Sequence, residues 1–231
     1  RKKIWSPFIS AQLIEEVKNK FNNLNDITCA FEGGFPNAER KRICFSRSDE
    51  EMYASSQDIP IKGIYLRGNF LFDRAHKNDF RDVLNGLGAE ADEIGDIWLI
   101  RDRGAQAICS HKCANLMNQK IGKLREVEIQ VEALSIIDME VPYQRPEKVM
   151  NTVEASTRID AIASAGFGLS RSKITNQIKK GCLRLNWELN NQPSKSVNTG
   201  DLIHLDGKGS LKILKIDQTK KERWRIKLLR Q

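Results

Sequence analysis

The chain has 231 residues, 40% hydrophobic and 29% charged, with a net charge of +8. The hydrophobic content is ordinary, so a packed core is expected, and the length allows one large or two to three small domains. No apolar run approaches the ~18 residues that would suggest a membrane span. The five cysteines (Cys29, Cys44, Cys109, Cys113 and Cys182) are odd in number and scattered, which argues against a disulfide framework and for free thiols in a reducing compartment. The chain opens on Arg1, and the expectation is a processed or trimmed product in which a removed targeting peptide leaves no trace.

Residues 1–58 read as a small α/β segment. Ser10 is placed to cap a helix whose apolar stripe is Leu13, Ile14, Val17, Phe21 and Leu24. Residues 26–32 and 42–47 read as a strand pair around the loop GGFPNAERKR, marked by Gly33, Gly34 and Pro36. Arg40, Lys41 and Arg42 there read as a solvated turn, with RNA contact as the sharper alternative.

Residues 59–140 carry a different rhythm. Residues 61–67 read as a strand. Phe80, Val83, Leu84 and Leu87 recur at helical spacing, and Gly86 and Gly88 stop that helix. Residues 94–101 and 105–109 read as two strands joined at Arg103-Gly104. Cys113, Leu116, Met117, Ile121 and Leu124 mark a second helix, and residues 126–134 alternate as a last strand. The order β-α-β-β-α-β predicts an α+β, ferredoxin-like (RRM-like) unit with both helices on one face of the sheet. RNA-recognition motifs share that topology and stack bases on sheet aromatics. Tyr65 is the one stacking candidate, but AQAICSH, the third strand, has no aromatic, so a spacer or protein-docking role is expected. Cys109, His111 and Cys113 do not have the spacing of a CxxC knuckle and read as structural. No metal and no cofactor is expected.

Pro142 and Pro146, among polar neighbours, predict a linker over residues 141–154. Beyond it, Ile159, Ile162 and Ala163 form one helix face, ended by Gly166 and Gly168. Ser170 stands at an N-cap position. In the next helix Ile174 and Ile178 point inward, leaving Arg171, Lys173, Gln177, Lys179 and Lys180 on or near the other side, and Gly181 closes it. Leu183, Leu185 and Trp187 alternate with Arg184 and Asn186, a period-two strand. Residues 151–231 hold sixteen Lys and Arg against seven Asp and Glu, a net of +9, while residues 1–150 hold twenty-two against twenty-three. Nearly all the excess charge therefore lies in the last third, as expected of a nucleic-acid module on a neutral body.

The segment RIDAIASAGFGLSRSKITNQIKKGCLRLNW resembles the S4-type RNA-binding domain, with Arg158-Ile159-Asp160, Ser170-Arg171-Ser172, Gly181 and Leu183-Arg184-Leu185-Asn186 in the family's places and Gly200-Asp201-Leu202-Ile203 at its later strand entry. The resemblance covers about residues 155–207, and with it the expected RNA-binding residues are Arg158, Ser170, Arg171, Ser172, Lys173, Gln177, Lys179, Lys180, Arg184 and Asn186. The whole layout is similar to the YlmH-type proteins, a family that includes the cyanobacterial and plastid photosystem II S4 domain proteins. The tail around Lys220, Lys221 and Arg223 points to that branch. The likeness implies a non-catalytic RNA-binding factor on ribosomal RNA or tRNA of the large ribosomal subunit; the sequence leaves the oligomeric state open, with a monomer as the expectation. Its place would be a bacterial cytoplasm or plastid stroma. Two other classes stay open: an RNA-modifying enzyme of the pseudouridine synthase kind, suggested by Arg158-Ile159-Asp160, and a docking adaptor for photosystem biogenesis. No HIGH and KMSKS pair and no GxGxxG supports an enzyme, and Asp160 is expected to pair with a nearby arginine such as Arg171.

Overall fold

In a computed structural model that describes residues 4–21, 26–47, 59–142 and 146–231, the chain divides into two units, Arg1–Pro142 and Tyr143–Gln231. The first begins with β1 (Ile4–Trp5), α1 (Ala11–Phe21), β2 (Ile27–Glu32) and β3 (Arg42–Arg47), whose strands form an antiparallel sheet in the order β1-β3-β2. Ser10 starts α1 as expected: its hydroxyl accepts from the Leu13 N–H at 3.4 Å. Leu13 is 43% exposed, so the apolar stripe is narrower than its spacing suggests. Leu24 lies outside the described residues.

The rest of this unit is β4 (Ile61–Arg67), α2 (Lys77–Gly86), β5 (Ile94–Leu99), β6 (Gly104–Ser110), α3 (His111–Met117), β7 (Ile121–Leu124) and β8 (Val127–Leu134). All pairings are antiparallel, in the order β5-β6-β4-β8-β7. On one face Ile64 and Leu66 of β4 meet Phe80 and Leu84 of α2 and Ala114 and Met117 of α3. The other face is closed as well. Phe8, from the N-terminal segment, packs with Tyr65, Trp98 and Ile108 there. The Asp96 carboxylate accepts from the Glu39 and Arg40 N–H groups, and the Arg40 guanidinium donates to the Ile94 carbonyl at 3.0 Å.

Tyr65, the one stacking candidate, is 3% exposed in a cluster with Phe8, Ile61 and Met139. One expectation is corrected here: the second helix ends at Met117. At Gln119 the backbone turns through a positive φ of 64°, and Ile121 to Leu124 form the edge strand β7 in a hairpin with β8. Ile121 and Leu124 continued a helical spacing by coincidence: along the strand they alternate in exposure instead.

The second unit holds β9 (Lys148–Glu154), α4 (Ile159–Phe167), α5 (Arg171–Lys179), β10 (Leu183–Leu185), β11 (Glu188–Leu189), β12 (Leu202–Leu205), β13 (Gly209–Gln218) and β14 (Trp224–Arg230). Its six-stranded sheet runs β11-β10-β12-β13-β14-β9. Leu183, Ile203, Leu211, Ile213, Ile226 and Leu228 line the inner face and meet Ile159, Ile162, Ile174 and Ile178 of the two helices. A Cβ on Gly166 would run into the Leu211 side chain, so α4 lies against β13 at this glycine. Gly166 is therefore inside α4, and Gly168, at φ 66°, is the left-handed residue that ends it.

The expected linker over residues 141–154 is also corrected. Lys148 to Glu154 pair with β14 along its whole length, because Met150 and Thr152 fall opposite Leu228 and Ile226 on the inner face. Trp187 is not in a strand. Asn186 and Trp187 have φ of 50° and 69° and make the two-residue turn between β10 and β11.

Gly104 tests the first unit. Its φ is +114°, and an added Cβ would run into the Leu66 carbonyl oxygen. Gly104→Ala is expected to cost about 2 kcal/mol or more, while Gly86→Ala, with open space at its Cβ position, leaves stability within about 0.5 kcal/mol. Denaturant unfolding of both variants checks this.

Candidate nucleic-acid interface

Helices α4 and α5 are joined by a short turn that two local rules build. Gly168 supplies the left-handed cap, and the Ser170 hydroxyl accepts from the Lys173 N–H at 3.3 Å, starting α5. Ser172 adds a hydroxyl contact to Ser170 at 3.1 Å. The start of α4 is occupied: the Ile159 and Asp160 N–H groups donate to the Lys195 and Pro193 carbonyls. The N–H groups of Arg171 and Ser172 have no acceptor among the described residues, so the free helix N-terminus belongs to α5. That end carries partial positive charge and suits an anion.

Asp160 organises the turn. It is 5% exposed. Arg158 donates to its two carboxylate oxygens at 3.1 and 3.0 Å, and Arg171 donates to the same pair at 3.0 and 3.1 Å. Burial pushes the Asp160 carboxyl up, but hydrogen bonds and charge from Arg158 and Arg171 outweigh it and hold the group below the ordinary carboxylate value. Arg158 is raised in turn, first by that hydrogen bond.

The predicted residues therefore separate by role. Arg158 and Arg171 stay about half exposed, at 43% and 54% of their side chains, but their guanidinium groups are committed to Asp160. Lys173, Gln177 and Lys180 recur at i, i+4 and i+7, a continuous stripe along α5. Lys179 is exposed on the adjoining side, and no ion pair among the described residues engages Lys173, Lys179 or Lys180. Arg184 lies elsewhere. Leu183 and Leu185 fill the inner face, so Arg184 faces out on the opposite side of the sheet, 3.3 Å from Asp206. Asn186 is spent on the fold: its amide nitrogen donates to Asp201 at 2.9 Å, and its amide oxygen accepts from the Leu202 N–H at 2.8 Å. Lys195, exposed beside the start of α4, joins the helix surface and was missed because it sits in a loop without periodicity.

Other polar groups do not converge. Cys109 and Cys113 are core residues under the helices of the first unit, while His111 is exposed. The Cys109 thiol is pushed up by its hydrogen bond with Cys113 and then by burial.

A helix pair, a glycine turn, an N-cap serine and a sheet behind them define an RNA-binding module of the S4 class. Family comparison agrees: residues 157–203 match the S4 domain and residues 1–50 match the YlmH N-terminal domain. The chain thus carries a stretch matching the YlmH N-terminal domain and a C-terminal S4 domain. It is 28% identical over 208 residues to the ribosome-associated protein quality control protein P2 of Bacillus subtilis (strain 168), covering 89% of this chain and 79% of that protein. Among solved structures it is similar to the cell division protein ylmH from Streptococcus pneumoniae, at 18% identity and a TM-score of 0.48, over 59% of this chain and 81% of that one.

Because the folded-state value of Asp160 is depressed, its contribution is present above the unfolded value near ~3.9 and is lost as pH falls through the folded value. Asp160→Asn is therefore expected to lower stability at neutral pH by roughly 1–3 kcal/mol. The gap between variant and wild type should close below about pH 4. Thermal melts across pH 2–7 check both the size and the sign.

Proposed function

We propose that this protein is a non-catalytic RNA-binding factor of the ribosome, contacting ribosomal RNA or tRNA on the large subunit through α5. The observation that carries this reading is the set of α5 lysines with no ion-pair partner among the described residues, Lys173 at the free N-terminus of the helix and Lys179 and Lys180 at its other end, in an S4 domain. A relative matched over 89% of the chain and named as a ribosome-associated quality control protein supports the ribosomal setting. The chain works as a monomer in the compartment that holds its ribosomes, bacterial cytoplasm or plastid stroma.

An enzymatic role for Asp160 is disfavoured on geometry. A nucleophile or base needs an oxygen free to reach substrate. Both Asp160 oxygens are taken by arginines, and the residue is buried. The first unit then acts as a body, not as a second RNA platform. The strand order β5-β6-β4-β8 supports reading residues 59–140 as a ferredoxin-like unit with β7 added at one edge. Its face beneath Phe8 is closed to bases.

The triple variant Lys173→Ala, Lys179→Ala, Lys180→Ala spares the Asp160 cluster. In the full-length protein it is expected to reduce co-sedimentation with large ribosomal subunits and to lower the magnitude of the salt slope of RNA binding by about 3. Unchanged sedimentation and slope would move the site away from α5.

A further inference from the structure

The second unit has another basic surface, and it lies outside the S4 match. Residues 209–231 hold eight Lys and Arg against two Asp and Glu, a net of +6. The S4 match over residues 157–203 holds seven against three, a net of +4. Most of the positive charge of this unit is thus carried by β13, β14 and the turn between them.

Register places these cations. Leu211, Ile213, Ile226 and Leu228 point inward to the helices. Lys212, Lys215, Arg225 and Lys227 therefore point outward, on the sheet face opposite α4 and α5. Lys215 and Lys227 are directly opposite each other across the strand pair. Like charges in that position destabilise a sheet, so folding does not account for them. A single carboxylate, Asp217, serves this patch: it pairs with Lys215 at 2.8 Å and lies opposite Arg225. Lys212, Arg225 and Lys227 have no carboxylate partner among the described residues. At the turn, a cleft of about 520 Å³ is lined by Lys220, Lys221, Arg223 and Arg225 with Gln218, Thr219, Val153 and the one carboxylate Asp217. Neighbouring Val153 and Val149 of β9 leave the surface open at its edge, 48% and 51% exposed.

We propose that this outer sheet face and its cleft are a second RNA contact, gripping phosphate backbone, so that the S4-bearing unit holds RNA on two opposite sides. The proposal rests on the RNA-binding reading of the unit and adds a site to it. RNA is favoured over an anionic membrane because the patch is a strip of cations spaced along two strands. Phosphates along a nucleic-acid backbone can match that strip in register, and the chain already carries an RNA module on its other side.

The test uses full-length protein and purified large-subunit ribosomal RNA. The variant Lys212→Ala, Arg225→Ala, Lys227→Ala alters only exposed side chains. It is expected to weaken binding at least about tenfold and to lower the magnitude of the salt slope by about 3, with thermal unfolding no lower than in the wild type, since Lys227→Ala also removes the like-charge pair with Lys215. The α5 triple variant serves as the reference. If that variant loses affinity while the sheet variant matches wild type, the second contact is refuted and the S4 reading stands. If wild-type protein does not bind the RNA at all, both fall. Binding of phosphatidylglycerol vesicles that the sheet variant loses, with RNA binding unaffected, would also overturn the proposal in favour of a lipid surface.

Discussion

The buried carboxylate of Asp160 constrains everything around the helix turn. An ionised group at 5% exposure is tolerable only with charged donors on both oxygens. Arg158 approaches from the residue before α4, and Arg171 from the first turn of α5. The cluster thereby ties the starts of both helices together and sets the direction in which α5 leaves the turn. The exposed stripe of α5 inherits that direction. Removing either arginine would loosen the scaffold as well as remove a cation, so a loss of binding in such a variant would not locate the RNA. Lys173, Lys179 and Lys180 separate the two effects, since none of them touches Asp160.

A second constraint acts on the first unit. A sheet with helices on one face leaves its other face to be covered or used. Here Phe8 and Met139 share a buried cluster with Tyr65, Trp98 and Ile108, and the N-terminal segment is anchored by backbone N–H groups on the Asp96 carboxylate. Burial pushes the Asp96 carboxyl up, and the two backbone hydrogen bonds oppose that shift. Nucleic acid would have to displace this packing to reach the sheet. With a net charge of −1 over residues 1–150, it would gain little electrostatic attraction in return.

Legibility in the sequence followed the range of the interactions involved. The Ser10 and Ser170 caps, the strand pair at residues 27–32 and 42–47, and α4 with α5 depend on neighbours within a few residues, and the sequence patterns found them. The pairing of Asp160 with Arg171 spans only one turn between two helices and was equally accessible. What failed depended on distant partners. Lys148 to Glu154 look like linker because prolines precede them and their alternation is short; their strand identity comes from β14, seventy or more residues on. Tyr65 stood as a stacking candidate because no local pattern reveals its burial in a cluster with Phe8, Trp98 and Met139. For Asn186 the sequence offered the family position but not the hydrogen bonds of its side chain to Asp201 and Leu202 in a positive-φ turn. The same limit hid the outer sheet cations. Lys212, Lys215, Arg225 and Lys227 are scattered along the sequence and become one surface only through the β13–β14 register.

That register also bears on how the unit holds a polyanion. Counterions gather where cations cluster, and neutralising each phosphate releases some of them. A helix stripe alone offers a narrow track at one end of a dipole. A sheet offers spacing fixed by strands about 4.8 Å apart, with side chains repeating every second residue. The bulge between Ile213 and Lys215 resets that repeat, so Lys215, and not Leu214, comes to lie opposite Lys227. In a regular ladder of the same sequence, Leu214 would keep the outward alternation set by Lys212 and Lys215 would turn towards the core. The bulge therefore puts a like-charge pair on the solvent face at a cost to the isolated sheet, a cost that an anion lying between the two ammonium groups would offset.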